Sequence, residues 1–111
     1  MPDALSARQH KNLLFDFYGN MLTAKQREIF TLHTAEDCSL AEIGQEMGIT
    51  PQGAADILRR ATSRLEKYET NLGMVKTFTE IEKILVKLDS VKEISEDVKN
   101  IRELLGTHYG V

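Results

Sequence analysis

The stretch from Ser39 to Pro51, Ser-Leu-Ala-Glu-Ile-Gly-Gln-Glu-Met-Gly-Ile-Thr-Pro, leaves the chain little choice of local structure. Ser39 followed three residues later by Glu42 is a capping box, in which two side chains satisfy N–H groups that the start of a helix leaves free. Leu40, Ile43 and Met47 then fall on one face of a short helix, and Gly48 accepts the left-handed conformation that ends it. Thr50 and Pro51 open a second helix, with threonine as N-cap and proline at the first helical position, where its missing N–H costs nothing. Ile49 reads as an apolar plug between the two helices, and Gly44 permits their close approach. A short helix, a glycine turn and a capped second helix make a helix-turn-helix. The competing reading is a plain helical hairpin inside a bundle.

The flanking sequence is helical as well. Leu13, Leu14, Phe17 and Tyr18 place one apolar face on a helix from about Ser6 to Gly19. Thr23 and Gln26 form another capping box, ahead of Ile29, Phe30 and His33 on a helix ending near Thr34. After Pro51, the positions Ala54, Leu58, Ala61, Leu65, Tyr68, Leu72 and Val75 alternate steps of four and three, a heptad-like seam. Gly73 interrupts it, which predicts a kink in one continuous helix. Phe78, Ile81, Leu85 and Leu88 carry the stripe on, and Ser90 with Glu93 reads as a third capping box before Ile94, Val98, Ile101 and Leu105. Two antiparallel helices joined near Ser90 follow. No segment alternates with period two beside turn signals, so the expected fold class is all-α: a helix-turn-helix domain over residues 1–72 and a C-terminal helical extension over 73–111. The apolar stripe from Phe78 to Leu105 exceeds what a small bundle covers, which predicts a homodimer made by the helices after Tyr68.

At 111 residues the chain buries one modest core, so the extension must lean on the first part. Cys38, the only cysteine, closes no intramolecular disulfide, and no apolar run suits a signal peptide or a membrane span, so the expected location is cytoplasmic. His10, His33 and His108 have no ligand-like spacing with Cys38, and neither a phosphate loop nor a nucleophile elbow occurs; no metal, cofactor or catalysis is expected.

The net charge of −3 argues against indiscriminate nucleic-acid binding, which depends on neutralising phosphates. The charge is unevenly spread, however. Arg59, Arg60, Arg64 and Lys67 form the one basic cluster, with only Glu66 among them. Earlier on the same helix, Gln52 can pair with adenine, Asp56 can accept from cytosine and Ala55 can touch a thymine methyl, but no arginine is placed for guanine. Arg59, Arg60 and Arg64 lie one to two turns on and suit phosphates; the alternative is a solvated face on which they pair with Asp56 and Glu66. Phe17 and Tyr18 share the apolar stripe of Leu13 and Leu14 and read as core rather than as base-stacking groups. Phe15 falls off that stripe, a candidate for contact with another helix or chain.

The run Leu14-Phe15-Asp16-Phe17-Tyr18, the pair Leu22-Thr23 before Lys25-Gln26, Asp37 with Ser39-Leu40, Glu42-Ile43, and Gln52, Asp56, Arg59 and Arg60 resemble the YlxM/p13 family of small bacterial proteins, over about Asn12 to Phe78. The resemblance implies a helical fold similar to the fourth conserved region of sigma factors, with Ser39 to Met47 as supporting helix and Thr50 to Leu65 as recognition helix. It implies DNA as partner, contacted through Thr50, Gln52, Asp56, Arg59, Arg60 and Arg64. The family's gene neighbourhood implies regulation linked to the signal recognition particle, whose protein or RNA is the alternative partner for an accessory that does not bind DNA. The chain departs from its relatives at Pro51, where an arginine is common, and at Gly53 and Ala55, where bulkier residues often stand; all three trim the base-reading surface.

Overall fold

The computed structural model describes residues 4–109, with side chains over 7–106, and contains six α-helices. They are α1 (Ala4–Tyr18), α2 (Ala24–Thr34), α3 (Leu40–Met47), α4 (Pro51–Leu72), α5 (Met74–Leu88) and α6 (Ser95–Tyr109). Short 3-10 turns span Gly19–Met21 and Lys92–Ile94, and no strand occurs among the described residues.

The local signals act as their chemistry requires. At the start of α2, Thr23 Oγ1 accepts from the Gln26 N–H at 3.1 Å while Gln26 Oε1 accepts from the Thr23 N–H at 3.2 Å. Ser39 and Glu42 repeat the exchange at 3.1 Å each way ahead of α3, and Ser39's bonds hold the Glu42 carboxyl below its ordinary pKa. Gly48 ends α3 at φ 70°, and Thr50 Oγ1 accepts from the Gly53 N–H at 2.9 Å to open α4.

α4 is the hub, packed by α1, α2 and α3. On one part of it Leu14, Tyr18, Leu22, Phe30, Ala61, Leu65 and Val75 form a buried cluster; nearer its start, Ile29, Leu32, Ile43 and Ala54 form a second, and Leu58 packs against both. Phe15, off the stripe of α1, finds its partner in α2: its ring stacks on Phe30 with centroids 4.8 Å apart. Phe17 meets Phe78 of α5 edge-on at 5.5 Å.

Two sequence expectations give way. Gly73 does not kink a continuous helix; it adopts φ 64°, ψ 24°, so α4 stops at Leu72 and α5 starts afresh at Met74. The break is held by Glu69, whose carboxylate accepts from the N–H groups of Val75 and Lys76 at 3.0 Å each and from the Tyr18 hydroxyl at 2.6 Å. Glu69 therefore caps a helix whose own N-cap residue has no side chain. Nor does Ser90 open α6. Its Oγ donates to the Lys87 carbonyl at 3.1 Å, closing α5, and a 3-10 turn intervenes before α6 begins at Ser95.

α5 and α6 do run antiparallel. Val98 and Leu85 are buried, Leu105 returns to the neighbourhood of Phe17, Met74 and Phe78, and Arg102 grips Asp89 with two bonds of 2.9 Å. The hairpin draws the molecule out to 57 × 25 × 25 Å, with a radius of gyration of 17.0 Å. A compact chain of this length would have about 13 Å.

Candidate nucleic-acid interface

The interface is built on the contact between α3 and the turn that follows it. A Cβ added to Gly44 would lie 2.6 Å from the Ile49 carbonyl oxygen and 3.2 Å from the Pro51 nitrogen, so only glycine lets the chain fold back this tightly. The Ile49 N–H donates to the Gly44 carbonyl at 2.9 Å and closes the turn. Ile49 itself packs into the cluster around Ile43 and Ala54. α4 is thereby fixed at its N-terminal end and presents one face outward.

On that face Gln52, Asp56, Arg59, Ser63 and Lys67 follow one another at steps of four and three, with Arg60 beside them. Gln52, Arg59, Arg60, Ser63 and Lys67 are exposed, and Asp56 is half-buried. Asp56 stands between the two arginines: one carboxylate oxygen pairs with Arg59 Nη2, the other with Arg60 Nε at 3.2 Å. The solvated pairing anticipated for this cluster thus exists at Asp56. Both guanidinium groups are nevertheless about three-quarters exposed, at 75% and 73%, and such a surface pair is worth roughly 0.2–1 kcal/mol. The fold does not depend on this pairing.

Arg64 and Thr50 are otherwise occupied. Arg64 turns back to the bundle, donating to Gln26 Oε1 at 3.0 Å, the Met21 carbonyl at 3.1 Å and the Tyr68 hydroxyl at 2.8 Å. It ties α4 to the start of α2 and stands apart from Arg59 and Arg60. The Thr50 oxygen is taken up by the Gly53 cap. Glu66 pairs with His10 of α1 at 3.4 Å rather than with an arginine. Two residues join the site that sequence reading passed over. Ser63 was recoverable from helical spacing; Lys11 was not, since only tertiary structure brings α1 beside Arg59.

Cys38 lies in the turn before α3 against the second core cluster. Burial and the carboxylates of Glu42, Glu36, Glu46 and Asp37 push its thiol above the ordinary value, which keeps it protonated and weakly nucleophilic. The side chain of His108 lies outside the described residues. Among the described residues no helix is long and apolar enough to cross a membrane.

A short helix, a left-handed glycine turn and an outward-facing capped second helix define the class: this is an all-α helix-turn-helix protein. The family model of UPF0122, described as "Putative helix-turn-helix protein, YlxM / p13 like", matches residues 5–105, and the chain belongs to that family. It is 47% identical over 87 residues to the UPF0122 protein of Thermoanaerobacter sp. (strain X514), covering 78% of this chain and 72% of the relative. To the UPF0122 protein of Listeria monocytogenes serovar 1/2a it is 38% identical over 101 residues, covering 81% and 92%. The family match extends past Phe78, where the motif resemblance stopped, and takes in α5 and most of α6.

Proposed function

We propose that this protein is a DNA-binding regulator linked to the signal recognition particle pathway, gripping the phosphate backbone with Arg59 and Arg60 and presenting Gln52 to base edges. One observation carries the reading: two adjacent, exposed guanidinium groups on the solvent face of a helix-turn-helix second helix. Phosphates displace Asp56 from them and release condensed counterions, so affinity falls with the logarithm of salt with a slope of roughly −2 for two phosphates engaged. Fluorescence anisotropy on fragments of the protein's own genomic locus, at low and moderate salt, is expected to show saturable, salt-sensitive binding. Replacing Arg59 and Arg60 together by alanine should weaken it by about tenfold or more, and Asp56→Asn should strengthen it. A flat titration at micromolar protein in low salt overturns this reading.

A second reading draws on the same Asp56 and on the net charge of −3: the motif serves as a scaffold and the protein is an accessory docking on the particle's protein or RNA. Nuclease-treated pull-down separates the two. Retention of the particle's protein subunit after nuclease, together with a flat DNA titration, favours the accessory.

The hairpin supplies the dimer in either case. Ile84, Ile101 and Leu104 are 56%, 41% and 58% exposed, and helical spacing places all three on the side of the hairpin away from Glu82, Asp89 and Arg102. Two copies meeting on this face form a four-helix bundle and present two α4 helices to one duplex. Light scattering at tens of micromolar is expected to give a dimer, and Leu104→Glu a monomer. A monomeric wild-type chain at that concentration rules the arrangement out.

A further inference from the structure

A cleft of about 440 Å³ opens beside the exposed stripe of α4, between it and α1 and α2. Its volume lies within the range of roughly 300–1,000 Å³ usual for small-molecule sites. Phe30, Leu40 and Leu58 make its wall apolar, and the small side chain of Ala55 leaves the space open. Two cations stand together at this place, Lys11 from α1 and Arg59 from α4, and the His33 imidazole of α2 lines it with them. A second hollow of about 270 Å³ shares Lys11, His33 and Thr34 with it and adds Arg8.

Among the described residues no carboxylate lines either hollow, although the chain as a whole carries −3. The nearby acids are already paired, Asp37 with Arg8 and Asp56 with Arg59 and Arg60, so that the lining cations Arg8 and Arg59 each carry one partner, and Glu66 pairs with His10. Lys11 makes no ion pair among the described residues. An apolar wall beside Lys11, which has no acid partner among the described residues, and Arg59, whose partner is the half-buried Asp56, is complementary to a molecule that is oily along its body and anionic at one end. A nucleic-acid backbone lacks the apolar body to fill such a cleft, and an uncharged hydrocarbon would leave its cations unused.

We propose that this cleft binds an amphipathic monoanion, a carboxylate with a medium-length apolar tail, the tail lying against Phe30, Leu40 and Leu58 and the carboxylate meeting Lys11 and Arg59. Thr34 and Ser63 supply hydroxyls at the same place. Because Arg59 also belongs to the phosphate-contacting pair, an occupant draws it away from DNA. That last link rests on the nucleic-acid reading; binding itself does not.

The test is a titration of the full chain followed by backbone amide NMR, with decanoate as ligand and 1-decanol and acetate as controls. Decanoate is expected to shift Ala55, Leu58, Thr62 and His33 and to saturate below about 1 mM, an affinity suited to a ligand of this size. Decanol should bind about fivefold more weakly and acetate should not saturate, the difference being that of a charge-assisted contact at a partly exposed site. Lys11→Ala should remove the preference for decanoate over decanol. Ala55→Trp, which fills the cleft, should abolish binding; if that variant does not fold, the exposed Lys11→Ala still decides the matter. Shifts confined to Ile84, Ile101 and Leu104, equal affinity for decanol, or an unchanged preference in Lys11→Ala each overturn the proposal. In a separate arm, decanoate should weaken DNA binding in anisotropy. A flat DNA titration with intact NMR saturation removes the DNA reading and leaves the ligand site standing.

Discussion

Gly44→Ala is expected to destabilise the protein by about 3 kcal/mol and to lower its melting temperature by roughly 10 °C or more. The alanine Cβ would sit 2.6 Å from the Ile49 carbonyl oxygen, and that atom is backbone, so no side-chain rotation relieves the clash. Either α3 moves off the turn or the turn opens. Both pull Ile49 and Ile43 out of the core cluster that seats the start of α4. Alanine gains about 1 kcal/mol over glycine in helix propensity, which reduces the net loss without reversing it. Gly48→Ala is the informative contrast. There a Cβ meets nothing within 4 Å, and the cost, about 1 kcal/mol, comes only from φ 70°. Thermal melts followed by circular dichroism should therefore rank wild type above Gly48→Ala above Gly44→Ala. A Gly44→Ala protein melting with the wild type would mean that α3 and the turn are not in contact. Loss of DNA binding in a Gly44 variant that remains folded would point to α4 orientation as the cause.

The two glycines also show where the sequence could be read and where it could not. The starts of α2, α3 and α4 were legible because each is decided within four residues, by Thr23 with Gln26, Ser39 with Glu42, and Thr50 with Pro51. Gly48 was legible because apolar periodicity stops beside it. Gly73 sits in an apolar seam that continues on both sides, so local pattern cannot choose between a kink and a break. Tyr18, from another helix, and Glu69 make the choice. Ser90 and Glu93 have the spacing of a capping box, yet Ser90 Oγ turns back to the Lys87 carbonyl, and a 3-10 turn over Lys92–Ile94 stands where the first helical turn would be. A motif whose groups have nearer partners does not form. Arg64 illustrates the same limit for the site. In sequence it belongs with Arg59 and Arg60, but on the helix it faces Gln26 and Tyr68, and packing assigns it to the fold. The pairing of Lys11 with Arg59 around one cleft has no local sequence signature at all.

The hydrogen-bond cluster at Gly73 carries the second large effect: Glu69→Ala should cost about 2 kcal/mol and loosen the α5–α6 hairpin from the bundle. Glu69 accepts from the Val75 and Lys76 N–H groups and from Tyr18, while the Tyr18 oxygen accepts from the Met74 N–H at 3.0 Å. Without the carboxylate, the first turn of α5 loses its cap and Val75 its fixed place in the core. Burial pushes the Glu69 carboxyl up, but the Tyr18 hydroxyl, the two N–H groups and the charge of His10 outweigh it and hold the carboxyl below its ordinary value of 4.5. A depressed carboxyl stabilises the fold above its unfolded pKa, and that contribution fades as pH falls through the lower folded value. Tyr18 has the opposite sign. Burial, then the bond to Glu69, push its phenol from 10.0 up to about 12, so its contribution is complete below the unfolded value and fades as pH rises through the folded one. Melting temperature against pH should therefore fall at both extremes in the wild type. Glu69→Ala should flatten the acid limb, and Tyr18→Phe the alkaline one. Because the two groups share one hydrogen bond, the double variant should lose less than the sum of the singles, by about 0.5–3 kcal/mol. Strict additivity would mean that the hairpin is held by the Phe17 and Leu105 contacts alone, and that Gly73 breaks α4 without help from Glu69.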